Sequence, residues 1–428
     1  MTHAHRFLPD LDEEGIRRAQ LEGLRHTLGL AARSPQYRRH LAGCKAEPGD
    51  IHSLEDLRRL PLSDAALLRD GYPLPLLCVS PSDIVRIHAS SGTTGKRKIL
   101  AYTRRDVDTF NLQMARCYEV AGLTPEDRLQ VAVGYGLWTA GAGFQMGSEL
   151  YGMLTVPVGP GNLDMHLQML QDLDVTCFGA TASMALLLAE EVDRTGIRDR
   201  LKLRKVICGA ETRSEKMRLA IERKLGLEGS YDIAGMTEMY GPGTGIDCDA
   251  HQGIHYWADL FIIEILDPNT LQPVPDGEVG EMVVTSLRKE ASPLIRYRTR
   301  DLSRIIPGTC PCGLAMPRHD KILGRSDDMF VYRGVNIYPG QVMEVVGTFP
   351  ELGGEYLLEL TRDEHMMDHL TLTAERAERE TEGGDEALVA ELESRLHHAL
   401  LARVEAKVVA YGELPRTFSK TKRLMDKR

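Results

Sequence analysis

The feature that most constrains the fold of this chain is a regular alternation of strand-like and helix-like segments between residues 83 and 233. This alternation predicts a largely parallel sheet with helices on its faces, and therefore an α/β fold. Ligands bind such sheets at the carboxyl ends of the strands. We therefore expect the loops that begin at Gly134, Gly179, Gly209 and Ala234 to form the functional site.

The segments on either side of this alternation have other patterns. Residues 11–72 are predicted to be mostly helical, with Ser63 capping a short helix, and to pack on the outside of the main domain. Residues from about 252 to 306 have the pattern of strands joined by tight turns, which predicts a β-rich subdomain. Residues 327–428 are predicted to form a small, mobile α+β domain, which leaves residues 1–326 as the large N-terminal domain.

The composition of the 428-residue chain argues against several classes of protein. A net charge of −10 disfavours a nucleic acid or an anionic membrane surface as a partner. No apolar run approaches the ~20 residues of a membrane span. Residues 1–15 lack the apolar core of a signal peptide, so the eight cysteines are expected to be reduced thiols or metal ligands in the cytosol.

A glycine- and hydroxyl-rich stretch, Ser90–Lys98, has the composition of a phosphate-binding loop. Its sequence, SSGTTGKRK, has two glycines, four hydroxyls and three bases, and glycines allow backbone N–H groups to converge on an anion. The stretch is not a Walker A motif, because Gly92 and Gly95 are separated by only two residues and Arg97 follows Lys96. The alternative is an exposed polar hairpin.

Two further polar stretches follow predicted strands. In Ala234–Gly243, Thr237 and Glu238 are candidates to bind Mg²⁺ or a phosphate oxygen, since magnesium prefers carboxylate and phosphate oxygens. The alternative is an ordinary turn. In Ile295–Ile305, four arginines surround Asp301, and a carboxylate held among arginines is a candidate to bind both ribose hydroxyls. The alternative there is a surface ion network.

Two stretches near the end of the chain suggest a domain movement. Small and acidic residues at Gly324–Met329 suit a hinge between two domains. The C-terminal stretch LPRTFSKTKRLMDKR is basic, and Ser419 and Thr421 flank Lys420, so this lysine is a candidate to contact a phosphate. The alternative is a solvated basic tail.

These stretches together resemble the motifs of a known superfamily. SSGTTGK, the TE of GMTE, RTRD, GRSDDM and PRxxxKxKR resemble those of the adenylate-forming acyl-CoA synthetases. RIHASSGTTGK, YGLWTAGAG, GMTEMYGPG, PLIRYRTRDL and GRSDDMFVYRGVNIYP resemble the phenylacetate–CoA ligase branch, from about residue 50 to the end. The resemblance implies that an acid attacks the α-phosphate of ATP and that CoA then displaces AMP from the acyl-adenylate. It also implies Mg²⁺ and a homodimer.

The same resemblance implies roles for individual residues. Lys420, with Lys422 as its nearest rival, is the catalytic lysine, and Asp327 is the hinge. The other implied residues are Thr237 and Glu238 in catalysis, Glu238 also as a Mg²⁺ ligand; Arg333, Gly334 and Tyr338 in the CoA tunnel; and, in binding ATP or AMP, Ser90, Ser91, Gly92, Thr93, Thr94, Gly95, Lys96, Gly209, Ala210, Glu211, Asp232, Ala234, Asp301 and Arg325.

The acyl pocket is expected to be lined by aromatic, glycine and methionine residues of the site loops. Such walls suit a flat apolar acid, so the predicted substrate is an arylacetate or a benzoate. The residue before GMTE is usually aromatic in the family and lies against adenine; here it is Ala234, which leaves room for a bulkier aromatic acid. The candidate lining residues, several of which are alternatively core, are Tyr135, Gly136, Trp138, Phe144, Met236 and Pro242.

The cysteines suggest a second site. Cys310 and Cys312 form a C-x-C pair in a glycine-rich turn, and Cys248 and His255 complete a candidate tetrahedral zinc set. His251 is the alternate to His255. Some members of the branch have a similar cluster in which zinc looks structural. The alternative is four ordinary loop residues.

Two other functions remain open at this point. One is an adenylating enzyme whose acceptor is a carrier-protein thiol or a cofactor instead of CoA. The other is a nucleotide-binding sensor that has lost turnover, for which Ala234 is the supporting feature.

Overall fold

The computed structural model describes residues 6–90, 97–211, 213–333, 335–364, 366–377, 385–415 and 423–428. The helices are α1 Glu13–Ala31, α2 Pro35–His40, α3 Ala65–Asp70, α4 Arg104–Val120, α5 Ala140–Tyr151, α6 Leu163–Asp172, α7 Ala182–Thr195, α8 Glu215–Leu225, α9 Pro339–Gly347 and α10 Asp385–Leu400.

The strands fall into five sheets. They are β1 Arg86–Ala89, β2 Ile99–Tyr102, β3 Arg128–Val131, β4 Leu154–Val156, β5 Cys177–Thr181, β6 Lys205–Gly209, β7 Gly229–Met236, β8 Gly241–Asp247, β9 Ile254–Tyr256, β10 Phe261–Leu266, β11 Gly280–Ser286, β12 Tyr297–Ser303, β13 Ile305–Ile306, β14 Arg318–His319, β15 Gly324–Arg325, β16 Phe330–Tyr332, β17 Val335–Ile337, β18 Leu352–Arg362, β19 Asp368–Arg376, β20 Glu405–Val409 and β21 Leu424–Asp426.

The largest sheet has nine strands in the order β13-β14-β9-β8-β7-β6-β5-β3-β4. The five strands from β4 to β7 run parallel, as the alternation predicts. β8 runs antiparallel to β7, because the two are joined by a tight turn at residues 237–240 and not by a crossover helix. Tyr240 ends this turn at a φ of 76° and Gly241 follows at 125°, so the chain reverses through left-handed backbone.

Helices cover both faces of this sheet, and each face has its own core. On one face α4 packs Phe110, Met114 and Cys117 into the interior. On the other face α7 packs Leu188 and Val192 against buried residues of β5 and β6. The sheet is therefore closed on both faces, which leaves the carboxyl ends of its parallel strands for the site.

The predicted β-rich subdomain is divided between two sheets. Strands β10, β11, β12 and β15 form a separate four-stranded antiparallel sheet. Strands β9, β13 and β14, which fall in or just after the same stretch, join the nine-stranded sheet instead. The reason is pairing across the chain: β14 hydrogen-bonds to β9, and β9 to β8, which extends the large sheet past its parallel part.

The N-terminal helices pack against this four-stranded sheet. In α1, Thr27 donates to the carbonyl of Ser286 at 2.8 Å. The prediction that Ser63 caps a short helix is wrong, because α3 begins one residue later and its N-cap is Asp64. The Ser63 hydroxyl instead donates to the Ile295 carbonyl at 2.7 Å.

The C-terminal residues form a separate α+β unit. Its sheet has the order β20-β19-β18-β21, and α9 and α10 close one core with it, including Leu358, Leu372 and Leu396. The unit contacts the large domain at α7 and α8. Lys216 of α8 donates to the Leu352 carbonyl at 3.3 Å, and Tyr411 hydrogen-bonds to Glu190 of α7.

Among the residues described, none of the helices combines the length and the apolar character needed to cross a membrane.

Candidate active site

The glycine-rich loop is carried by a two-stranded hairpin, β1 and β2, whose last pair is Ala89 and Ile99. The Ser90 N–H donates to the Lys98 carbonyl at 3.1 Å, so the two ends of the loop are held together. The Ser90 hydroxyl is buried and has no hydrogen-bond partner in the described part of the chain, which leaves it available to a ligand. The predictions for Ser91, Gly92, Thr93, Thr94, Gly95 and Lys96 lie outside the described residues.

The 237–240 turn lies directly against this hairpin. Thr237 and Glu238 are only 6% and 3% exposed. The Glu238 carboxylate forms an ion pair with Lys98 at the end of the glycine-rich loop, and the Tyr297 hydroxyl lies 3.5 Å from it. The structure thus brings together the two stretches that the sequence analysis treated separately. The roles of Lys98 as partner of Glu238, and of Tyr297, were not predicted.

Tyr102, at the end of β2, fixes the position of the turn. Its hydroxyl lies 3.1 Å from the carbonyl of Thr237 and 3.3 Å from that of Tyr240. Since one hydroxyl bridges both ends of the turn, the turn and the hairpin form one unit. No sequence motif marks Tyr102, because its partners are backbone atoms more than a hundred residues away.

The carboxyl ends of β5, β6 and β7 place a second group of predicted residues together. Gly209 is the last residue of β6, and Ala210 follows at a φ of 70°. The Glu211 carboxylate accepts a hydrogen bond from the Ser183 N–H, at the start of α7, at 2.9 Å. Asp232 on β7 lies opposite Cys208 on β6. These residues therefore lie together at the end of the sheet where ligands bind in parallel sheets.

Asp232 has an unusual electrostatic environment. Desolvation raises the pKa of its carboxyl to about 7, and the neighbouring Asp247 adds to this, against the opposing effects of Arg213 and Lys321. The Asp232 N–H donates to the Asp247 carboxylate at 2.7 Å. A carboxyl of this kind can act as donor or acceptor near neutral pH.

Two predicted loop starts lie within strands instead. Gly179 is inside β5, and a side chain there would meet the Phe144 ring at 2.6 Å, so glycine serves helix–sheet packing. Ala234 is inside β7, opposite Gly245 of β8, and is half-buried. The site loop begins at Thr237, because β7 continues until its tight turn into β8.

Asp301 lies on β12, directly opposite Arg325 on β15. The Arg325 guanidinium donates to the Asp301 carboxylate at 3.0 Å and makes two further bonds to Asp327, at 2.8 and 3.0 Å. One side chain therefore links the candidate ribose ligand with the candidate hinge.

The arginines around Asp301 in the sequence pair with other acids. Arg296 binds Glu264 and Arg304 binds Asp320, each with both partners away from Asp301. Arg298 pairs with Glu281 at 2.8 Å. Arg300 lies 3.6 Å from the same glutamate. Each of the four arginines therefore forms an ion pair with another acid, since successive side chains of a strand point to opposite faces.

The aromatic loop after β3 is packed onto its own glycines. Tyr135 lies against Gly141 and Trp138 against Gly134. Tyr135 is 37% exposed, whereas Gly136 has open space around it. The loop is tied to the hairpin by the Ala89 N–H, which donates to the Leu137 carbonyl at 2.9 Å.

The other predicted pocket residues differ in exposure. Phe144 is buried, and packs on β5 in the core. Pro242 is buried against Gly143 of α5, and Met236 is half-buried at the end of β7. Phe144 and Pro242 thus hold α5 in place, while Tyr135, Trp138 and Met236 are exposed or half-buried.

The predicted CoA residues lie in the C-terminal unit. Arg333, at a φ of 50° between β16 and β17, donates to the Asp368 carbonyl at 3.0 Å. Tyr338 precedes α9, and its N–H donates to the Gln341 side chain at 3.0 Å. Gly334, Lys420 and Lys422 lie outside the described residues.

The structure brings the four predicted zinc ligands together. The ligand atoms of Cys248, His255, Cys310 and Cys312 all lie within 4.8 Å of one another. Two sulfurs, of Cys248 and Cys310, are 3.5 Å apart, close to the ~3.8 Å spacing of thiolates around a tetrahedral zinc ion. The His255 Nδ1 is 2.7 Å from the Met316 carbonyl, which leaves Nε2, 3.3 Å from the Cys312 sulfur, as the ligand atom.

The alternate ligand, His251, lies outside this cluster. Its Nδ1 is 2.8 Å from the Asp247 carboxylate and its Nε2 is 3.3 Å from Arg218. We refer below to Cys248, His255, Cys310 and Cys312 as the Cys/His cluster.

Comparison with known proteins identifies the family of this chain. Residues 34–287 match the AMP-binding enzyme family, and residues 334–428 match the AMP-binding enzyme C-terminal domain. A phenylacetate–coenzyme A ligase of Pseudomonas putida is 39% identical over 421 residues, covering 97% of this chain and 95% of that protein. The chain belongs to the phenylacetate–coenzyme A ligase branch of the AMP-binding enzymes. It is an AMP-forming acid–CoA ligase, which activates a carboxylic acid with ATP and transfers it to CoA.

Solved structures give the same fold and distinguish two arrangements. The 2-hydroxyisobutyryl-CoA ligase in its postadenylation state is 27% identical, with a TM-score of 0.87, covering 100% of this chain and 95% of that one. In its thioesterification state, with CoA, that ligase is 28% identical with a TM-score of 0.70, covering 98% and 91%. The arrangement of this chain is therefore closer to the postadenylation state.

Proposed function

We propose that the chain converts an aromatic or arylacetic acid into its CoA thioester, with release of AMP and pyrophosphate. The observation that carries the choice of acid is the loop after β3, where Tyr135 and Trp138 pack on glycines and are not fully buried. Thr139, next in this loop, packs against Gly241 beside the 237–240 turn. We infer that these flat rings and glycines line a narrow apolar slot, which would suit an aromatic ring better than a branched acid. The phenylacetate ligases among the relatives agree with this choice.

The first step joins the acid to AMP. A carboxylate oxygen of the acid forms a bond to the α-phosphorus of ATP, and the bond from that phosphorus to pyrophosphate breaks. Negative charge concentrates around one phosphorus, so donors and cations must be in place beforehand. The groups we assign to this task are the Ser90–Lys98 loop on the β- and γ-phosphates, Thr237 beside the α-phosphate, and Lys420 between the α-phosphate and the acid.

Glu238 is the residue we assign to Mg²⁺. Its carboxylate is buried and forms an ion pair with Lys98, so the surroundings of Glu238 already accommodate a cation next to the carboxylate. Magnesium, when bound, neutralises charge on the phosphates. Because Lys98 stands at the end of the phosphate loop, it can exchange Glu238 for a phosphate oxygen when nucleotide binds.

The nucleoside is assigned to the wall formed by β6, β7 and β12. Asp301 accepts hydrogen bonds from the ribose hydroxyls, and Arg325, 3.0 Å away, orients its carboxylate. Gly209, Ala210, Glu211, Asp232 and Ala234 form the adenine side. The small side chain of Ala234 removes a stacking surface and widens the cleft at this point.

The second step requires the C-terminal unit to move. The thiol sulfur of CoA forms a bond to the acyl carbon, and the bond from that carbon to the AMP oxygen breaks. We propose that residues 327–428 rotate about Asp327 relative to residues 1–326, which replaces Lys420 by the stretch around Arg333, Gly334 and Tyr338. The two TM-scores against the states of one related ligase support a two-position account.

We assign structural zinc to the Cys/His cluster. Three sulfurs and one imidazole nitrogen within 4.8 Å fit a closed tetrahedral site without an open position. The cluster joins the end of β8, β9 and the turn before β14, so the metal would cross-link the antiparallel part of the large sheet. The homodimer and the cytosolic location stay predictions from the sequence.

Thioester formation with a panel of acids tests the proposed substrate. Phenylacetate, benzoate, a naphthylacetate and aliphatic acids, including 2-hydroxyisobutyrate, are each incubated with ATP, Mg²⁺ and CoA. We expect kcat/KM for the best aromatic acid to exceed that for any aliphatic acid by about 100-fold, since an aromatic ring buries far more apolar area in such a slot. A preference for an aliphatic acid would contradict the proposal.

A further inference from the structure

Lys289 is a buried lysine that no sequence motif assigns. It follows β11 and is 0% exposed. Its Nζ lies 4.1 Å from the ring centroid of Tyr102 and 4.7 Å from that of Tyr240, so the ammonium group sits between two aromatic faces. In the described part of the chain, Nζ has no hydrogen-bond partner. Two cation–π contacts are therefore the main interactions of this charge.

The two rings belong to the framework of the 237–240 turn. The Tyr102 hydroxyl bridges the carbonyls of Thr237 and Tyr240, and Tyr240 itself closes the turn in left-handed backbone. Lys289 thus contacts the anchor of the turn and its last residue together. Thr237 and Glu238 belong to the turn whose two ends are held by Tyr102 and Tyr240, the two residues that Lys289 contacts.

Several charged or titratable groups lie near Lys289. Asp106 on α4 and Glu238 on the turn attract the ammonium. Burial, together with the charge of Lys289, lowers the pKa of His88 on β1, whose ring contacts that of Tyr102. The Asp106 carboxylate accepts from the N–H groups of Thr103, Glu290 and Ala291, at 3.0, 2.7 and 3.0 Å. Asp106 therefore holds the backbone next to Lys289 and is not itself its hydrogen-bond partner.

A charge in this position is unfavourable for stability. Burial without hydrogen bonds lowers the pKa of Lys289 to about 8, against the attraction of Asp106 and Glu238. Because the folded chain holds this proton less tightly than the unfolded chain, stability rises as the pH increases from about 8 towards the ordinary lysine pKa. An apolar residue of the same length would be more stable here. The position of the charge indicates a functional use.

We propose that Lys289 is a positioning residue for adenylation: its ammonium group, held on the faces of Tyr102 and Tyr240, fixes the 237–240 turn so that Thr237 and Glu238 meet the nucleotide. The residue does not contact substrate. Its effect belongs to the adenylation step alone, since thioester formation uses groups of the C-terminal unit. The inference rests on the proposed role of the 237–240 turn.

Two variants of Lys289 separate this role from a structural one. Lys289→Met keeps the length and removes the charge, whereas Lys289→Arg keeps the cation. We expect Lys289→Met to raise Tm by about 2–4 °C and to lower the rate of acid-dependent ATP–pyrophosphate exchange by about 10- to 30-fold. We expect Lys289→Arg to retain exchange within about threefold of the wild-type rate. Thioester formation from supplied acyl-adenylate should stay unchanged in both.

The decisive result is that Lys289→Met raises Tm and at the same time lowers the rate of ATP–pyrophosphate exchange. A residue that only supports the fold would lose stability and activity together, and both half-reactions would fall. Unchanged exchange in Lys289→Met, or a loss of both half-reactions, overturns the proposal. If Lys289→Arg does not fold, exchange rates of the wild type and of Lys289→Met are compared across pH 6.5–9.5. The ratio of the wild-type rate to the variant rate should fall towards one above pH 8, because the wild-type lysine then loses its proton. A constant ratio overturns the proposal.

The test is independent of which acid is the substrate. Each variant is compared with the wild type on the acid that the wild type accepts best. A wild type that prefers aliphatic acids would contradict the proposed substrate class and leave this comparison intact.

Discussion

The two ends of β8 differ in how their polar groups are satisfied. β8 is buried along its whole length. At its carboxyl end, four ligand atoms converge in the Cys/His cluster, and His255 is oriented by the Met316 carbonyl. At its amino end, Glu238 faces Lys98, and Lys289 has a buried charge with aromatic faces for neighbours. One end has the geometry of a cross-link. The other has a buried ammonium group, that of Lys289, without a hydrogen-bond partner among the described residues.

We therefore assign different roles to the two ends of β8: the carboxyl end contributes to stability, and the amino end to the reaction. A closed set of ligands contributes to folding when a metal completes it. Unsatisfied buried charges weaken folding and persist where a ligand or a reaction uses them. Each end therefore predicts its own pattern of mutational effects.

The largest effect is expected at the amino end of β8. Glu238→Gln keeps the shape of the side chain and removes its charge, so it should lower the acid-dependent ATP–pyrophosphate exchange of each folded molecule by about 10²–10³-fold. Exchange and thermal melting are measured on the same preparation. Glu264→Gln, which breaks the buried pair with Arg296, is the matched control and should lower Tm but leave exchange per folded molecule near wild type. Equal losses of exchange in both variants would contradict the assignment of Glu238.

The opposite pattern is expected at the carboxyl end of β8. Cys310→Ser should lower Tm by about 6–12 °C through loss of a structural metal, with activity at low temperature retained. Cys44→Ser, at a free cysteine outside the cluster, is the control and should leave Tm unchanged. Metal analysis of protein purified without a His-tag should give about one zinc per chain. Less than a tenth of an equivalent would exclude the zinc assignment.

Asp301 extends the comparison to the four-stranded sheet. Asp301→Asn should raise the KM for ATP by about 10- to 30-fold, since charge-assisted hydrogen bonds to the ribose are weakened, with a smaller change in kcat. Asp320→Asn, which breaks the half-exposed pair with Arg304, should leave the KM for ATP unchanged. If both substitutions raise the KM alike, the ribose assignment is wrong.

The smallest effect is expected at the contact between the two domains. Tyr411→Phe removes the hydroxyl that binds Glu190, so it should destabilise the present arrangement and slow ATP–pyrophosphate exchange by about two- to fivefold. Thioester formation from supplied acyl-adenylate should be unchanged or faster. A slower thioester step with normal exchange would mean that this contact belongs to the second step.

Local patterns predicted most of the fold. The alternation of segments gave the parallel strands β3 to β7 and the helices between them, because period and turn residues are local properties. It did not give the strand β14, whose two residues pair with β9 more than sixty positions away. The antiparallel step from β7 to β8 was also missed, since it depends on the left-handed backbone at Tyr240.

In the site, too, features encoded in short motifs could be predicted, and most contacts between distant residues could not. Motifs made Glu238 and Asp301 candidates, and their roles stay predictions. Motifs also predicted the Cys/His cluster, whose ligand atoms the structure brings together. The resemblance placed Arg325 beside Asp301, and the two side chains are 3.0 Å apart. The contact of Lys98 with Glu238 and the position of Lys289 between its two rings were not predicted, since each joins distant parts of the chain. A single lysine after a buried strand was the only sequence signal for Lys289.

The fate of one carboxylate oxygen tests most directly whether the enzyme forms an acyl-adenylate. Phenylacetate labelled with ¹⁸O in its carboxylate is converted to the thioester with ATP and CoA, and AMP and pyrophosphate are analysed by mass spectrometry. Attack on the α-phosphorus followed by displacement by the thiol leaves one acid oxygen on the phosphate, so we predict one ¹⁸O in each AMP and none in pyrophosphate. Unlabelled AMP, or labelled inorganic phosphate formed together with ADP, would contradict an acyl-adenylate made at the 237–240 turn.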